Sequence, residues 1–277
     1  MLRSILVGLD GSSHSTAAME LGIQWAKHLE ALLIGLGIVD KPSICRPEPV
    51  PIGGGAYKQQ RDEKLLEDAR HRIAQSLDEF ARRCEEARVA YRLLEEVGSP
   101  CGQILQESPR CDLILLAHQT CFRFGPDERP DQTLRMLLRS TPRPVVSVPE
   151  HLGDGSGVVV AYDGRREADR ALQAFRTSGL DFGEEVHVLS LAADRSWASR
   201  CADFAAEFLQ SHGLKAVGHP IASGQPVAQM ILEHAQNYDA RLIVMGAYGR
   251  SSLHEIFLGS VTDTVLSDSE WPVFLCH

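Results

Sequence analysis

The chain repeats itself, and the repeat limits the folds open to it. Leu2-Arg-Ser-Ile-Leu-Val-Gly-Leu-Asp10-Gly11 resembles Gly157-Val-Val-Val-Ala-Tyr-Asp163-Gly164. Gly98-Ser-Pro100 resembles Gly224-Gln-Pro226, and Leu113-Ile-Leu-Leu-Ala117 resembles Leu242-Ile-Val-Met-Gly246. Pro144-Val-Val-Ser-Val148 resembles Pro272-Val-Phe-Leu-Cys276, and all four pairs occur in the same order. Two tandem copies of one structural unit account for this. With 277 residues, each copy is long enough to bury its own core. The copies differ in length chiefly through a Pro-rich loop from Lys41 to Tyr57 in the first. His151-Leu-Gly-Asp-Gly-Ser-Gly157 has the composition of a linker and sets the expected domains at 1–150 and 151–277. Its alternating glycines precede a strand rather than follow one, which is the wrong context for a dinucleotide fingerprint.

Within each copy, short apolar runs alternate with helical patterns. Ala18, Leu21, Trp25 and Leu29 fall at three-to-four spacing, as do Leu66, Ala69, Ile73, Leu77, Phe80 and Cys84. In the second copy Ala168, Ala171, Leu172 and Phe175 predict one helix, and Trp197, Cys201, Phe204 and Phe208 another. Strands alternating with helices predict an α/β fold: two tandem doubly wound, five-stranded parallel sheets, each covered on both faces. Pro144-Val-Val-Ser-Val148 and Pro272-Val-Phe-Leu-Cys276 should be the last, edge strands, and an apolar edge invites pairing.

Charge and composition exclude several classes. The formal net charge is −9, and residues 151–277 hold 9 Lys+Arg against 16 Asp+Glu. No basic field for nucleic acid follows from that balance. No apolar run approaches the ~20 residues of a membrane span, and the first residues lack a signal-peptide layout. A cytoplasmic location is the expectation. The seven cysteines are scattered without CxxC spacing, so reduced thiols are expected rather than a disulfide framework or zinc knuckle. His212, His219 and His234 have no defensible ligand spacing. No nucleophile-elbow Gly-x-Ser-x-Gly follows a strand, and no lysine follows a Gly-x-x-x-x-Gly.

The chemistry concentrates after Leu242-Ile-Val-Met245. Gly246-Ala-Tyr-Gly249 is followed, after nine residues, by Gly259-Ser260. A strand, a glycine loop and a helix start form an anion site: glycine lets backbone N–H groups approach a phosphate, and the helix N-terminus adds partial positive charge. In an open parallel sheet of order 3-2-1-4-5, strands one and four flank the switch point, where ligands bind. Asp163 would then face the glycine loop, and its carboxylate suits ribose hydroxyls. Gly246 and Gly249 could also be plain turn glycines, and Asp163 a plain helix cap.

Gly-x-x-Gly, nine residues, Gly-Ser resembles the nucleotide motif of the ATP-binding branch of the universal stress protein family. The Asp-Gly ending strand one and the Gly-x-Pro before strand four fit the same family, and the resemblance covers nearly the whole chain as two copies. It implies the adenine-nucleotide alpha hydrolase-like arrangement. Adenine would lie near Ala161, Leu191 and Met245, and Asp163 would hold the ribose or adenine side. Gly246, Gly249, Arg250, Gly259, Ser260 and Val261 would surround the phosphates. The resemblance also implies ATP or ADP as ligand, with Mg²⁺ bridging phosphate oxygens, although the sequence offers no dedicated metal cage. In single-domain relatives the last strands pair between two chains. A tandem chain can pair its domains internally as a pseudo-dimer, with a homodimer of whole chains as a further option.

Two departures matter. Arg165-Arg166 stand where the family often has Ser; they can lean toward the phosphates or face solvent, and solvent is the favoured reading. In the first copy, Gly246 and Gly249 become Ala117 and Thr120, and Gly259-Ser260 become Asp131-Gln132. A side chain and a negative charge then occupy the phosphate approach, so this copy should have lost phosphate binding, and Asp10 reads as a cap. The expected role is a stress-response regulator that binds ATP or ADP in its second domain, with at most slow hydrolysis, no catalytic residue and no nucleic-acid or membrane partner. The alternatives are a nucleotide-independent adaptor and, third, a dedicated ATPase.

Overall fold

Runs such as Ser4-Ile-Leu-Val-Gly-Leu9 are apolar without alternation, as strands buried on both faces require. The computed structural model describes residues 1–51, 53–120, 122, 132–222, 224–247 and 259–277. The chain divides into two compact units, 3–137 and 138–277, the latter with residues 1–2.

The first unit contains β1 (Ser4–Leu9), α1 (Ser13–Leu29), β2 (Leu32–Val39), α2 (Lys41–Ile44) and α3 (Gly55–Ala87). It continues with β3 (Tyr91–Val97), α4 (Pro100–Glu107) and β4 (Leu113–Ala117). Its strands are ordered β3-β2-β1-β4 and every pair is parallel. All four residues predicted for α1 are buried, and so are Ala69, Ile73, Leu77, Phe80 and Cys84 of α3, whereas Leu66 is half-buried. The loop expected from Lys41 to Tyr57 holds the four-residue α2, because the Asp40 side chain accepts a hydrogen bond from the Ser43 N–H at 3.1 Å.

The division falls inside α5 (Thr133–Ser140), and β5 (Val145–Val148) packs with the second unit. There follow β6 (Gly157–Ala161), α6 (Arg166–Ser178), β7 (Glu185–Ala192), α7 (Arg195–Ser211) and β8 (Lys215–Ala222). The chain closes with α8 (Val227–Asn237), β9 (Ala240–Gly246), α9 (Ser260–Asp268) and β10 (Val273–Cys276). The strand order here is β8-β7-β6-β9-β10-β5. The second repeat therefore has the complete 3-2-1-4-5 order, all parallel, and β5 adds to β10 antiparallel, with Phe274 opposite Val146. β10, expected as an edge strand, is thus paired on both sides.

One predicted stripe is corrected. On α7, Cys201 is buried, but Trp197 is 46% and Phe204 64% exposed, and Phe208 is half-buried. The buried face is Ala198, Ala202, Ala205, Ala206 and Leu209, beside Cys201. This helix lies close to the sheet: a Cβ on Gly218 of β8 would stand 3.0 Å from the Ala202 carbonyl oxygen. Only small side chains fit so short a separation.

No disulfide joins the described cysteines. Burial pushes the Cys84 thiol up to about 11 and also raises those of Cys101, Cys201 and Cys276, which disfavours thiolate chemistry there. No helix among the described residues is long and apolar enough to cross a membrane.

Candidate functional site

β6 and β9 lie side by side with Ala161 opposite Met245, so their carboxyl ends open onto the same crevice. A cavity of ≈ 350 Å³ lies there, bounded also by α8 and the start of α9. Ala161, Leu191 and Met245 supply its apolar wall, joined by Val227 and Ile231, which are one turn apart on α8. Asp163, Arg165 and Glu167 supply charged groups, and Ser260 and Thr262 hydroxyls.

The Asp163-Gly164 turn is fixed by a local bond: Asp163 Oδ1 accepts the Arg165 N–H at 3.0 Å. That bond reaches the N-cap residue's own amide, so Asp163 is an Asx-turn residue rather than the cap of α6. Its second oxygen, Oδ2, lies 3.4 Å from Arg165 Nη1, with 47% and 41% of the two side chains exposed. Beneath the turn, the buried Tyr162 hydroxyl donates to Asp169. Burial, and then that hydrogen bond, hold its pKa far above the usual phenol value.

Across the crevice, Gly259 is the N-cap of α9 at φ −52° and ψ 141°. The first intrahelical bond runs from the Asp263 N–H to the Gly259 carbonyl at 3.0 Å, leaving the amides of Ser260, Val261 and Thr262 ahead of it. A Cβ placed on Gly259 meets nothing within 4 Å. The described protein atoms thus do not require glycine here, and the dihedrals suit any residue. Gly246 is different. Its Cβ would lie 2.6 Å from the Ala168 nitrogen and the Glu167 carbonyl carbon, so glycine is required there for α6 to pack on β9.

Ala161, Asp163, Leu191, Met245, Gly246, Gly259, Ser260 and Val261 all line the one cavity. Gly249 and Arg250 lie outside the described residues. Arg165 lines the cavity while 41% of its side chain stays exposed, and Arg166 is exposed. Val227 and Ile231 were missed, although their four-residue spacing just after Gly224-Gln-Pro226 marks one face of a helix that begins at the crevice.

Outside the cavity, His219 and His234, for which the sequence offers no ligand spacing, lie in a network with His187 and Tyr238. His187 Nδ1 and His219 Nε2 are 3.2 Å apart, and the Tyr238 hydroxyl is 3.2 Å from His219 Nδ1. His187 stacks on Tyr238 at 4.0 Å, and His234 is 5.9 Å from the same ring. Desolvation lowers the pKa of His187 and His219, and the charges of His187 and His234 lower that of His219 further. Among the described residues no group of three or more His, Cys, Asp or Glu is placed to hold a metal ion.

At the corresponding strand end of the first repeat the described residues are closely packed. A Cβ on Gly8, the counterpart of Ala161, would lie 2.3 Å from Leu116 Cδ2 and 3.4 Å from Phe122 Cζ. Leu116, Ala117 and Phe122 have no exposed surface, and Asp10 is 1% exposed. Asp10 Oδ1 accepts from the Ser12 N–H at 2.9 Å and its hydroxyl at 2.6 Å. Thr120 is buried, and Asp131 lies outside the described residues.

Comparison with known proteins agrees with this fold. Residues 157–277 match the universal stress protein family. The universal stress protein Slr1230 of Synechocystis sp. (strain ATCC 27184 / PCC 6803 / Kazusa) is 25% identical over 147 residues, covering 50% of this chain and 49% of that protein. The aligned part thus spans about half the length of that relative. A universal stress protein from Archaeoglobus fulgidus DSM 4304 superposes with a TM-score of 0.68 at 21% identity, covering 99% of this chain and 97% of that one. A protein of unknown function from Pseudomonas aeruginosa PAO1 gives a TM-score of 0.63 at 17% identity, covering 99% and 92%. The structural matches carry the fold alone. The direct match places a universal stress protein family domain at residues 157–277, and the chain as a whole shares the fold of those solved structures.

Proposed function

We propose that the second repeat, residues 151–277, binds ATP or ADP, and that the protein is a stress-response regulator whose conformation or choice of partner follows that nucleotide. The supporting observation is the crevice between β6 and β9, with an apolar wall at one side and the open N-terminus of α9 at the other. The apolar wall of Ala161, Leu191, Val227, Ile231 and Met245 suits a planar base. Asp163 suits ribose hydroxyls, and the leading amides of α9 suit phosphate oxygens. Magnesium is assigned no protein ligand and would enter on the phosphates. Hydrolysis is slow at most, since no lysine lines the cavity among the described residues.

Calorimetry with purified protein tests this. Wild type should bind ATP and ADP. Gly259→Ala should fold normally, since its Cβ meets no described protein atom, and should bind about ten-fold more weakly by crowding the phosphates. Gly259→Asp, which adds an anion, should lose more than about a hundred-fold. No binding by wild type, with or without Mg²⁺, would sink the reading. The adaptor reading rests on a different observation, the exposed Trp197 and Phe204 on α7. It prevails if Gly259→Asp abolishes nucleotide binding and leaves the cellular phenotype intact.

A further inference from the structure

We propose that Arg165 exchanges its partner Asp163 for the phosphates of the ligand, so that the crevice grades its ligands by phosphate charge while the exchange releases Asp163 to the sugar. The inference rests on the nucleotide reading above. Arg165 is the only cationic side chain lining the cavity among the described residues, and it shares that lining with Asp163 and Glu167. Without it the charged side chains there would oppose a polyphosphate. The pair it makes with Asp163 is 3.4 Å long and about half-exposed at both ends, so solvent screens it and it is readily broken. A phosphate offers the guanidinium a bidentate partner of higher charge.

The backbone supports the exchange. The Arg165 N–H is held by Asp163 Oδ1, so the turn stays in place and the side chain alone has to move. Arginine is also a poor residue for this position. It is the N-cap of α6, makes no side-chain capping bond, and puts positive charge at the positive end of the helix dipole. A phosphate bound alongside would relieve that conflict. In the first repeat the same position is Ser12, whose hydroxyl instead donates to a buried Asp10. The arginine therefore accompanies the open crevice and the serine the closely packed strand end.

The test is a titration of wild type, Arg165→Ala and Arg165→Lys with adenosine, AMP, ADP, ATP and inorganic tripolyphosphate at one ionic strength. Wild-type affinity should rise with phosphate number. Arg165→Ala should lose roughly ten- to a hundred-fold for ATP and tripolyphosphate and less than about three-fold for adenosine. Arg165→Lys should fall between them, and melting temperatures should match. Equal losses for adenosine and ATP, or no loss for either, would overturn the inference while leaving the nucleotide reading standing. Arg165-dependent binding of tripolyphosphate without any binding of adenosine or ATP would overturn the nucleotide reading and the release of Asp163 to a sugar, leaving only a phosphate-binding Arg165. A wild type that binds none of the five overturns both.

Discussion

At the carboxyl end of β1, Asp10 is sealed beneath the chain, with Leu116 and Phe122 packed over Gly8. At the equivalent end of β6, Asp163 is open to a cavity, and Ala161 and Met245 form part of its wall. Both aspartates make the same bond to the amide two residues on. The Asp-Gly turn is therefore a property of the fold, needed to lead strand one into its helix. The repeats differ beside it: Leu116 and Phe122 pack against Gly8 in one, and a cavity with the N-terminus of α9 lies there in the other, which is the difference the proposed nucleotide site rests on.

The largest expected effect comes from removing the ring. Phe122→Ala should cost about 3–5 kcal/mol by urea unfolding, the usual cost for a fully buried phenylalanine. In a Gly259→Asp background it should create no nucleotide binding, because Ala117 and the residues aligned with Gly259-Ser260 do not rebuild an anion site. Nucleotide bound by that double variant would mean that the phenyl ring alone separates the repeats. A smaller effect is expected at the paired strand ends. Gly246→Ala should destabilise by about 1–3 kcal/mol, since its methyl group meets α6 backbone, whereas Ala117→Gly should cost about 1 kcal/mol or less. Equal and small costs at both sites would remove the packing explanation for Gly246.

The smallest effect is acid sensitivity confined to the second repeat. His187 and His219 occupy register positions filled by Ile34 and Leu94 in the first. Their folded pKa values lie below the unfolded value, desolvation outweighing the opposing charge of Glu185. The unfolded chain then binds more protons near pH 6. Their contribution is present above about pH 6.5 and lost as the pH falls through the lowered values. Urea midpoints for the second unit should drop between about pH 7.5 and about pH 5, and His187→Asn with His219→Gln should flatten that slope. An unchanged slope in the double variant would show that carboxylates elsewhere set it.

Much of this was legible in the chain because the repeat and the apolar runs are strong signals. The order of elements, the helix stripes of α1 and α3 and the meeting of Asp163 with Gly259 all follow from period and spacing. The stripe on α7 misled because apolar size was taken as the mark of burial. A helix lying against Gly218 needs Ala198, Ala202 and Ala205, and so turns Trp197 and Phe204 outward. Phe122 was hidden for another reason: it follows the strand run in a stretch of sequence where no periodicity assigns a face. The sequence leaves Arg165 between the phosphates and solvent because charge alone does not give a side chain its direction; that side chain lines the cavity and is 41% exposed.

The strand Val145–Val148 is made early and finds its place beside Val273–Cys276, about 125 residues later. Ribosomal synthesis therefore leaves its β10-facing edge uncovered until nearly all of the second repeat has emerged. A chaperone that shields this stretch would act on the slowest-maturing seam of the molecule.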